Sequence, residues 1–97
     1  MAFIQIIEYR TSLPDKVNQL QDEYDRATEG KRTVRRSILT RDRTDPERYL
    51  AIVFFDSYES AMENSGLPET QAVAGRLASV VEGPPTFHDL DVIDDRS

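Results

Sequence analysis

Residues 49–55 read YLAIVFF, and apolar side chains lie on both faces of the β-strand that this run predicts. A strand that is apolar on both faces is typical of the centre of a sheet, where other elements cover both of its surfaces. Residues 3–10, FIQIIEYR, are also apolar on both faces for most of their length. The two runs therefore predict two central strands.

Two further predicted strands carry charge. Residues 33–41 (TVRRSILTR) are rich in arginine, and residues 86–93 (TFHDLDVI) contain Asp89 and Asp91. Charged side chains are typical of edge strands, where they discourage indiscriminate pairing. Residues 31–48 hold seven of the twelve basic side chains and three acidic ones, whereas the rest of the chain holds five bases and fifteen acids. We therefore expect a basic edge and an acidic edge.

The segments between these strands predict two helical regions. The first is opened by Ser12 and ended by Gly30, and its apolar residues recur every three or four positions. The second follows Ser57, is interrupted at residues 64–68 (NSGLP) and resumes to about Glu82. Glycine and proline predict the interruption because neither continues a helix well.

The order of elements is β-α-β-β-α-β. With right-handed crossovers, this order produces a ferredoxin-like α+β fold, in which a four-stranded antiparallel sheet carries both helices on one face. The two strands that are apolar on both faces then lie at the centre, and the two charged strands lie at the edges. We expect one domain over residues 1–97, with residues 94–97 as a frayed tail.

Helices on one face leave the other face of the sheet uncovered, although the strands place apolar residues on both. A bare apolar sheet face usually marks an interface, and a second sheet is its natural cover. We therefore expect a homodimer with stacked sheets, in which the basic edge of one copy approaches the acidic edge of the other. The alternative is that each charged strand is simply a solvated edge.

Composition limits the classes of function. With 38 % hydrophobic and 31 % charged residues the chain should be globular, and without cysteine it has neither a thiol nucleophile nor thiolate metal ligands. A net charge of −6 disfavours nucleic acid and anionic membranes as partners. RNA-recognition domains share this order of elements, but Leu50 and Ile52 stand where their base-stacking aromatics would be. With no apolar run near the roughly 20 residues of a membrane span and no basic leader, we expect a cytoplasmic location.

Several polar side chains are candidates for a pocket between sheet and helices. The phenols of Tyr9, Tyr24, Tyr49 and Tyr58 and the amide of Gln5 could face such a pocket, although tyrosines at such places are usually core residues with the hydroxyl at the rim. Asn64 is a turn former at the helix break, where a pocket mouth can open. His88 is either a structural or partly exposed residue, or a proton-transfer or ligand-orienting group. One histidine and no cysteine predict no metal site.

Residues 51–61 (AIVFFDSYESA), followed by Ser65 and Pro68, run from the third strand into the second helical region. This stretch resembles the dimeric α/β-barrel superfamily, and within it the antibiotic-biosynthesis-monooxygenase-like group. The resemblance covers about residues 2–93. It implies that two subunits pair their sheets into a shared barrel, and that each subunit has a hydrophobic pocket between helices and sheet.

Members that this chain resembles differ in activity. Some oxidise polycyclic phenols to quinones without a cofactor, some degrade haem, and many have no known activity. The haem-degrading branch uses an Asn late in strand one, a helix His and a Trp, whereas this chain has Tyr9 at that position, its histidine in strand four and no Trp. The quinone-forming branch uses a pocket Trp with Asn, Tyr and Arg, for which Asn64, Tyr9 and Arg76 are loose counterparts.

The resulting hypothesis is a cofactor-independent monooxygenase that acts on an aromatic or polyketide-like phenol. The alternative is a non-catalytic small-molecule-binding or stress-response protein of the same fold. We expect no cofactor and no metal, and as partners a second copy of the chain and a small apolar aromatic ligand. The expected catalytic residues are Tyr9, Asn64 and His88, and the expected substrate-binding residues are Gln5, Tyr49 and Arg76.

Overall fold

The computed structural model describes residues 2–97, so that Met1, the first residue of the expected domain, lies outside the described residues. No helix among them is long and apolar enough to span a membrane. Four strands and three helices follow one another in this part of the chain: β1 (Phe3–Arg10), α1 (Pro14–Ala27), β2 (Arg36–Arg41), β3 (Arg48–Phe55), α2 (Tyr58–Ser65), α3 (Pro68–Leu77) and β4 (Thr86–Asp91).

The four strands form one antiparallel sheet in the order β2-β3-β1-β4. The central pair stays in register along its length, from Phe3 opposite Phe55 to Arg10 opposite Arg48. The two strands that are apolar on both faces therefore lie at the centre, and the arginine-rich and aspartate-rich strands lie at the edges. The predicted ferredoxin-like α+β arrangement is confirmed.

One face of the sheet packs against the helices through two small hydrophobic clusters. At one end of β1, Phe3 packs with Phe55 and with Ala61 of α2. At the other end, Tyr9 packs with Tyr49 and with α1. Because side chains alternate along a strand, the odd-numbered residues of β1 and β3 face the helices.

The opposite face of the sheet, called the open face below, is not covered by the helices. The register places Ile6 opposite Ile52, and Ile52 opposite Ile38. These side chains are half-buried in the single chain, whereas Leu90 on the same face is 44 % exposed. The large apolar residues of the open face are Ile4, Ile6, Ile38, Leu50, Ile52, Phe54 and Leu90.

The first helix begins without the predicted Ser12 cap. Its N-cap residue is Leu13, and no side chain caps this end. The buried hydroxyl of Thr11 instead accepts a hydrogen bond from the Leu13 N–H (2.9 Å) and donates one to the Val80 carbonyl (2.6 Å). Thr11 therefore organises this turn, because it ties the start of α1 to the segment after α3, while Ser12 remains exposed.

The second helical region is divided where the sequence predicts. Ser57 caps α2: its hydroxyl accepts from the Ser60 N–H at 3.0 Å, and the Ser60 hydroxyl accepts from the Ser57 N–H at 3.1 Å. The helix ends at Ser65 and α3 begins at Pro68, whose missing N–H is tolerated at a first helical position. The third helix ends at Leu77, earlier than predicted.

Much of the positive charge of residues 31–48 is neutralised by ion pairs within the same chain. Arg48 bonds both Glu8 and Asp42, each at 2.9 Å, and Arg35 bonds Asp56 at 2.5 Å. Because four of the seven bases of residues 31–48 have acidic partners in their own chain, this segment offers less charge to a second copy than the sequence predicts. The other two such pairs are Lys31–Glu69 (3.1 Å) and Arg32–Asp25 (2.6 Å).

Candidate functional site

A cavity of about 710 Å³ lies between the helices and the sheet. Its size falls within the range of pockets that hold small organic molecules. The exposed area of the wall is mostly apolar, as is usual for a ligand pocket, although about half of the lining residues are polar or charged, among them Arg32, Arg35 and Arg36. Apolar residues from strands and helices line it, among them Ile7, Leu20, Val34, Ala51, Val53 and Leu77.

Tyr9 contributes a phenol to this wall. Its ring stacks on Tyr49 with centroids 5.7 Å apart and planes 10° apart. Burial is the larger cause, and the neighbouring Tyr49 the smaller one, of a raised pKa of Tyr9. Among the described residues no group forms a hydrogen bond with its hydroxyl, and the oxygen is not fully buried. Because Tyr9 lines the cavity, its unpaired O–H is a candidate donor to a molecule bound there.

Asn64 lies at the cavity wall within a chain of hydrogen bonds. Its side-chain oxygen accepts from the Thr33 N–H at 3.2 Å, and its nitrogen donates to the Tyr24 hydroxyl at 2.9 Å. The Tyr24 hydroxyl in turn lies 2.9 Å from the hydroxyl of Thr70. The Thr33 N–H is thus bonded to Asn64 rather than to a strand, and β2 begins at Arg36, later than the predicted Thr33.

Gln5 also lines the cavity, next to the acidic edge strand. Its amide nitrogen donates to Asp89 at 3.0 Å, across the β1–β4 pair. The amide oxygen has no partner among residues 2–97, so it is an acceptor that a ligand can use. Gln5, Tyr9 and Asn64 are thus brought to one cavity.

The other three expected site residues lie elsewhere. His88 is on the open face, where its Nε2 is 3.3 Å from a Glu8 carboxylate oxygen. Tyr49 lies opposite Tyr9 on β3, in the core and outside the cavity lining. Arg76 pairs with Glu23 at 2.6 Å, beside a separate pocket of about 240 Å³. The grouping of His88 with Tyr9 and Asn64 is therefore not retained, because the sheet separates them.

Two further polar residues line the cavity wall: Tyr24, which is one of the four tyrosines expected to be able to face a pocket, and Thr70, which the sequence did not single out. Tyr24 also belongs to the apolar stripe of α1, which by itself predicts packing. The available signal was its hydroxyl, since a tyrosine facing the core needs a partner for its polar end. Thr70 lies in the first turn of α3, where no local pattern distinguishes it.

Within residues 2–97, no group of three or more histidine, cysteine, aspartate or glutamate side chains is placed to hold a metal ion. The cavity wall contains one carboxylate, Asp25, and no histidine. Asp25 is bonded to Arg32 at 2.6 Å and to Gln21 at 2.8 Å. The wall therefore offers hydrogen-bond donors and acceptors rather than a free base.

No protein-family model matches the sequence, and no curated protein sequence is significantly similar to it. Solved structures do match. A Caulobacter crescentus protein provisionally named an antibiotic biosynthesis monooxygenase has a TM-score of 0.81 at 12 % identity, covering 96 % of this chain and 91 % of its own.

Two further structures agree with this result. A Nitrosomonas europaea protein with the same provisional name has a TM-score of 0.79 at 8 % identity, covering 95 % of this chain and 90 % of its own. A Mycobacterium tuberculosis protein has a TM-score of 0.79 at 16 % identity, and both chains are fully covered. The chain therefore has the fold of the antibiotic-biosynthesis-monooxygenase-like proteins.

Proposed function

We propose that the protein is a cofactor-independent monooxygenase that binds an aromatic or polyketide-like phenol in the cavity between helices and sheet. The observation that carries this proposal is the cavity itself: about 710 Å³ with a mostly apolar wall and the unpartnered hydroxyl of Tyr9. A flat aromatic molecule fits such a wall, and its phenol oxygen fits a donor. The monooxygenase names of structures with this fold support the choice of reaction.

The chemistry needs little from the protein beyond binding and charge stabilisation. In an anthrone, the electron-rich substrate anion reacts with O₂: one oxygen atom becomes the new carbonyl, and the other leaves as water with the two hydrogens of the oxidised carbon. Tyr9 is suited to donate to the developing phenolate, because a phenol is protonated at neutral pH and burial raises the pKa of Tyr9 further. Asn64 and Gln5 would orient the substrate from the same cavity.

One observation favours the alternative, a non-catalytic small-molecule-binding or stress-response protein. The single carboxylate of the cavity wall, Asp25, is already bonded to Arg32. No lining residue is therefore a free base that could remove the substrate proton. Catalysis would depend on a substrate that ionises readily, whereas binding needs no base.

Oxygen uptake separates the two functions. We expect uptake with some members of a panel of hydroxylated anthrones and naphthols, and a loss of about 10-fold or more in kcat for Tyr9→Phe, because a phenolate donor is removed. The matched control is Tyr58→Phe, since Tyr58 is a half-exposed tyrosine that packs on Phe3 outside the cavity. Binding of the panel without any oxygen uptake would identify the binding protein.

We further propose that the protein is a homodimer that pairs its open faces. Support comes from the half-buried isoleucines of that face and from Leu90, 44 % exposed. The edges are complementary, with Arg36 and Arg41 on β2 and Asp89 and Asp91 on β4. Light scattering at micromolar concentration should give twice the chain mass, and a monomer would contradict the proposal.

A further inference from the structure

The hydroxyls of Tyr24 and Thr70 form a pair at the cavity wall. We infer that this pair donates a hydrogen bond to an oxygen acceptor, a carbonyl or a phenolate, on the bound molecule. The inference rests on the proposed function, since it concerns how the same cavity recognises its ligand. It follows from the hydrogens available in a short chain of hydrogen bonds.

The hydrogen bond between Thr33 and Asn64 determines the orientation of the Asn64 amide. The Thr33 backbone N–H can only donate, so the Asn64 atom that lies 3.2 Å from it must be the side-chain oxygen. The amide nitrogen then faces Tyr24 and donates to its phenol oxygen at 2.9 Å. The Tyr24 oxygen is therefore already an acceptor.

The next bond leaves one hydroxyl hydrogen unused. Tyr24 and Thr70 each carry one hydroxyl hydrogen, and their oxygens, 2.9 Å apart, share a single hydrogen bond in which either can donate. Whichever residue donates within the pair, the hydrogen of the other remains. Neither hydroxyl has a further partner within residues 2–97, and both residues line the cavity.

A hydrogen without an acceptor in a mostly apolar wall makes the site selective. A ligand that places an oxygen beside the pair satisfies the donor, whereas a hydrocarbon of the same shape leaves it unpaired. A net hydrogen bond changes affinity by about fivefold. The pair should thus favour ketones and phenolates over hydrocarbons of equal size by about this factor.

The probes are 9-fluorenone and fluorene, which share one shape and differ in a single carbonyl. Their dissociation constants are measured by displacement of a fluorescent anilinonaphthalene dye. All proteins carry Tyr9→Phe, so that the Tyr9 phenol cannot donate in place of the pair. The quantity compared is the ratio of the two constants, because differences in hydration between the two probes cancel between variants.

Two changes remove the unused hydrogen in different ways. Tyr24→Phe, Thr70→Val and Asn64→Leu together remove both hydroxyls and also the Asn64 N–H, which would otherwise lose its acceptor and could donate to the ligand. Asn64→Asp keeps them but places a carboxylate that can only accept, so that Tyr24 donates to position 64 and Thr70 donates to Tyr24. We expect the ratio to shift about fivefold towards fluorene in both variants. The matched control is Tyr58→Phe with Thr86→Val, two exposed residues outside the cavity.

The outcomes separate this inference from the proposed function. If neither fluorenone nor fluorene displaces the dye from the protein that carries Tyr9→Phe alone, the cavity does not bind such molecules, and the inference fails together with the proposed function. If both probes bind but the ratio is the same in all variants, the inference is overturned while cavity binding stands. Should the variants not fold, the infrared carbonyl stretch of fluorenone bound to the Tyr9→Phe protein decides, because a hydrogen bond lowers its frequency relative to hydrocarbon solvent. An unshifted band overturns the inference.

Discussion

Replacing Asn64 by alanine should destabilise the protein, because this side chain joins three segments. It is 6 % exposed and bonds the Thr33 N–H at 3.2 Å and the Tyr24 hydroxyl at 2.9 Å. Each bond contributes about 1 kcal/mol net, and a Thr33 N–H without its partner adds to the loss. We expect the free energy of unfolding to fall by about 2–3 kcal/mol, which lowers the Tm of a domain of this size by roughly 10–20 °C.

Urea unfolding followed by circular dichroism measures this loss. All variants are compared at one protein concentration, because dimerisation would make stability concentration-dependent. Asn18→Ala, at an exposed position of α1, is the matched control and should stay within about 0.5 kcal/mol. Adding Tyr24→Phe completes a double-mutant cycle with an expected coupling of about 1 kcal/mol. A loss below about 0.5 kcal/mol for Asn64→Ala, or strict additivity in the cycle, would refute the reasoning.

Two further predictions concern pH and backbone conformation. Hydrogen bonds from the Thr44 N–H and hydroxyl, followed by the Arg48 guanidinium, lower the pKa of Asp42 well below its usual 3.8. Its contribution to stability is therefore present above about pH 4 and is lost as pH falls through the folded-state pKa. Asp42→Asn should remove that part of the acid dependence of Tm, and an unchanged profile would contradict this. Gly30 has φ of 79°, so Gly30→Ala should cost about 1 kcal/mol. Gly75→Ala in α3, where an added Cβ meets nothing within 4 Å, should instead stabilise the protein by about 0.5–1 kcal/mol. Thermal unfolding measures both variants, and a change in Tm of the same sign for Gly30→Ala and Gly75→Ala would contradict this prediction.

The sequence predicted part of the cavity wall but not the network within it. Tyr9, Gln5 and Asn64 were expected to share a pocket, and the structure brings all three to one cavity. Tyr24 is 40 residues from Asn64 in the chain and 46 residues from Thr70. No local pattern connects positions so far apart, since their contact depends on how α1, α2 and α3 pack together.

For the basic segment, residues 31–48, the sequence likewise predicted the position in the sheet but not the ion-pair partners. Its charges predicted an edge strand, which the structure confirms. Their partners were not readable, because the partner of Arg35 lies after β3 and one partner of Arg48 lies on β1. Ion pairs between segments form only when tertiary packing brings them within a few ångströms.

The sequence by itself determined which strands are central and which are edges. Alternation with a period of two is a local property, so strands that are apolar on both faces can be recognised before their neighbours are known. Only the tertiary structure decided which face the helices cover, because β1 is apolar on both faces and the same alternation fits either choice. Packing of the helices against Phe3 and Tyr9 made that choice. It placed Tyr9 in the cavity and left His88 on the open face.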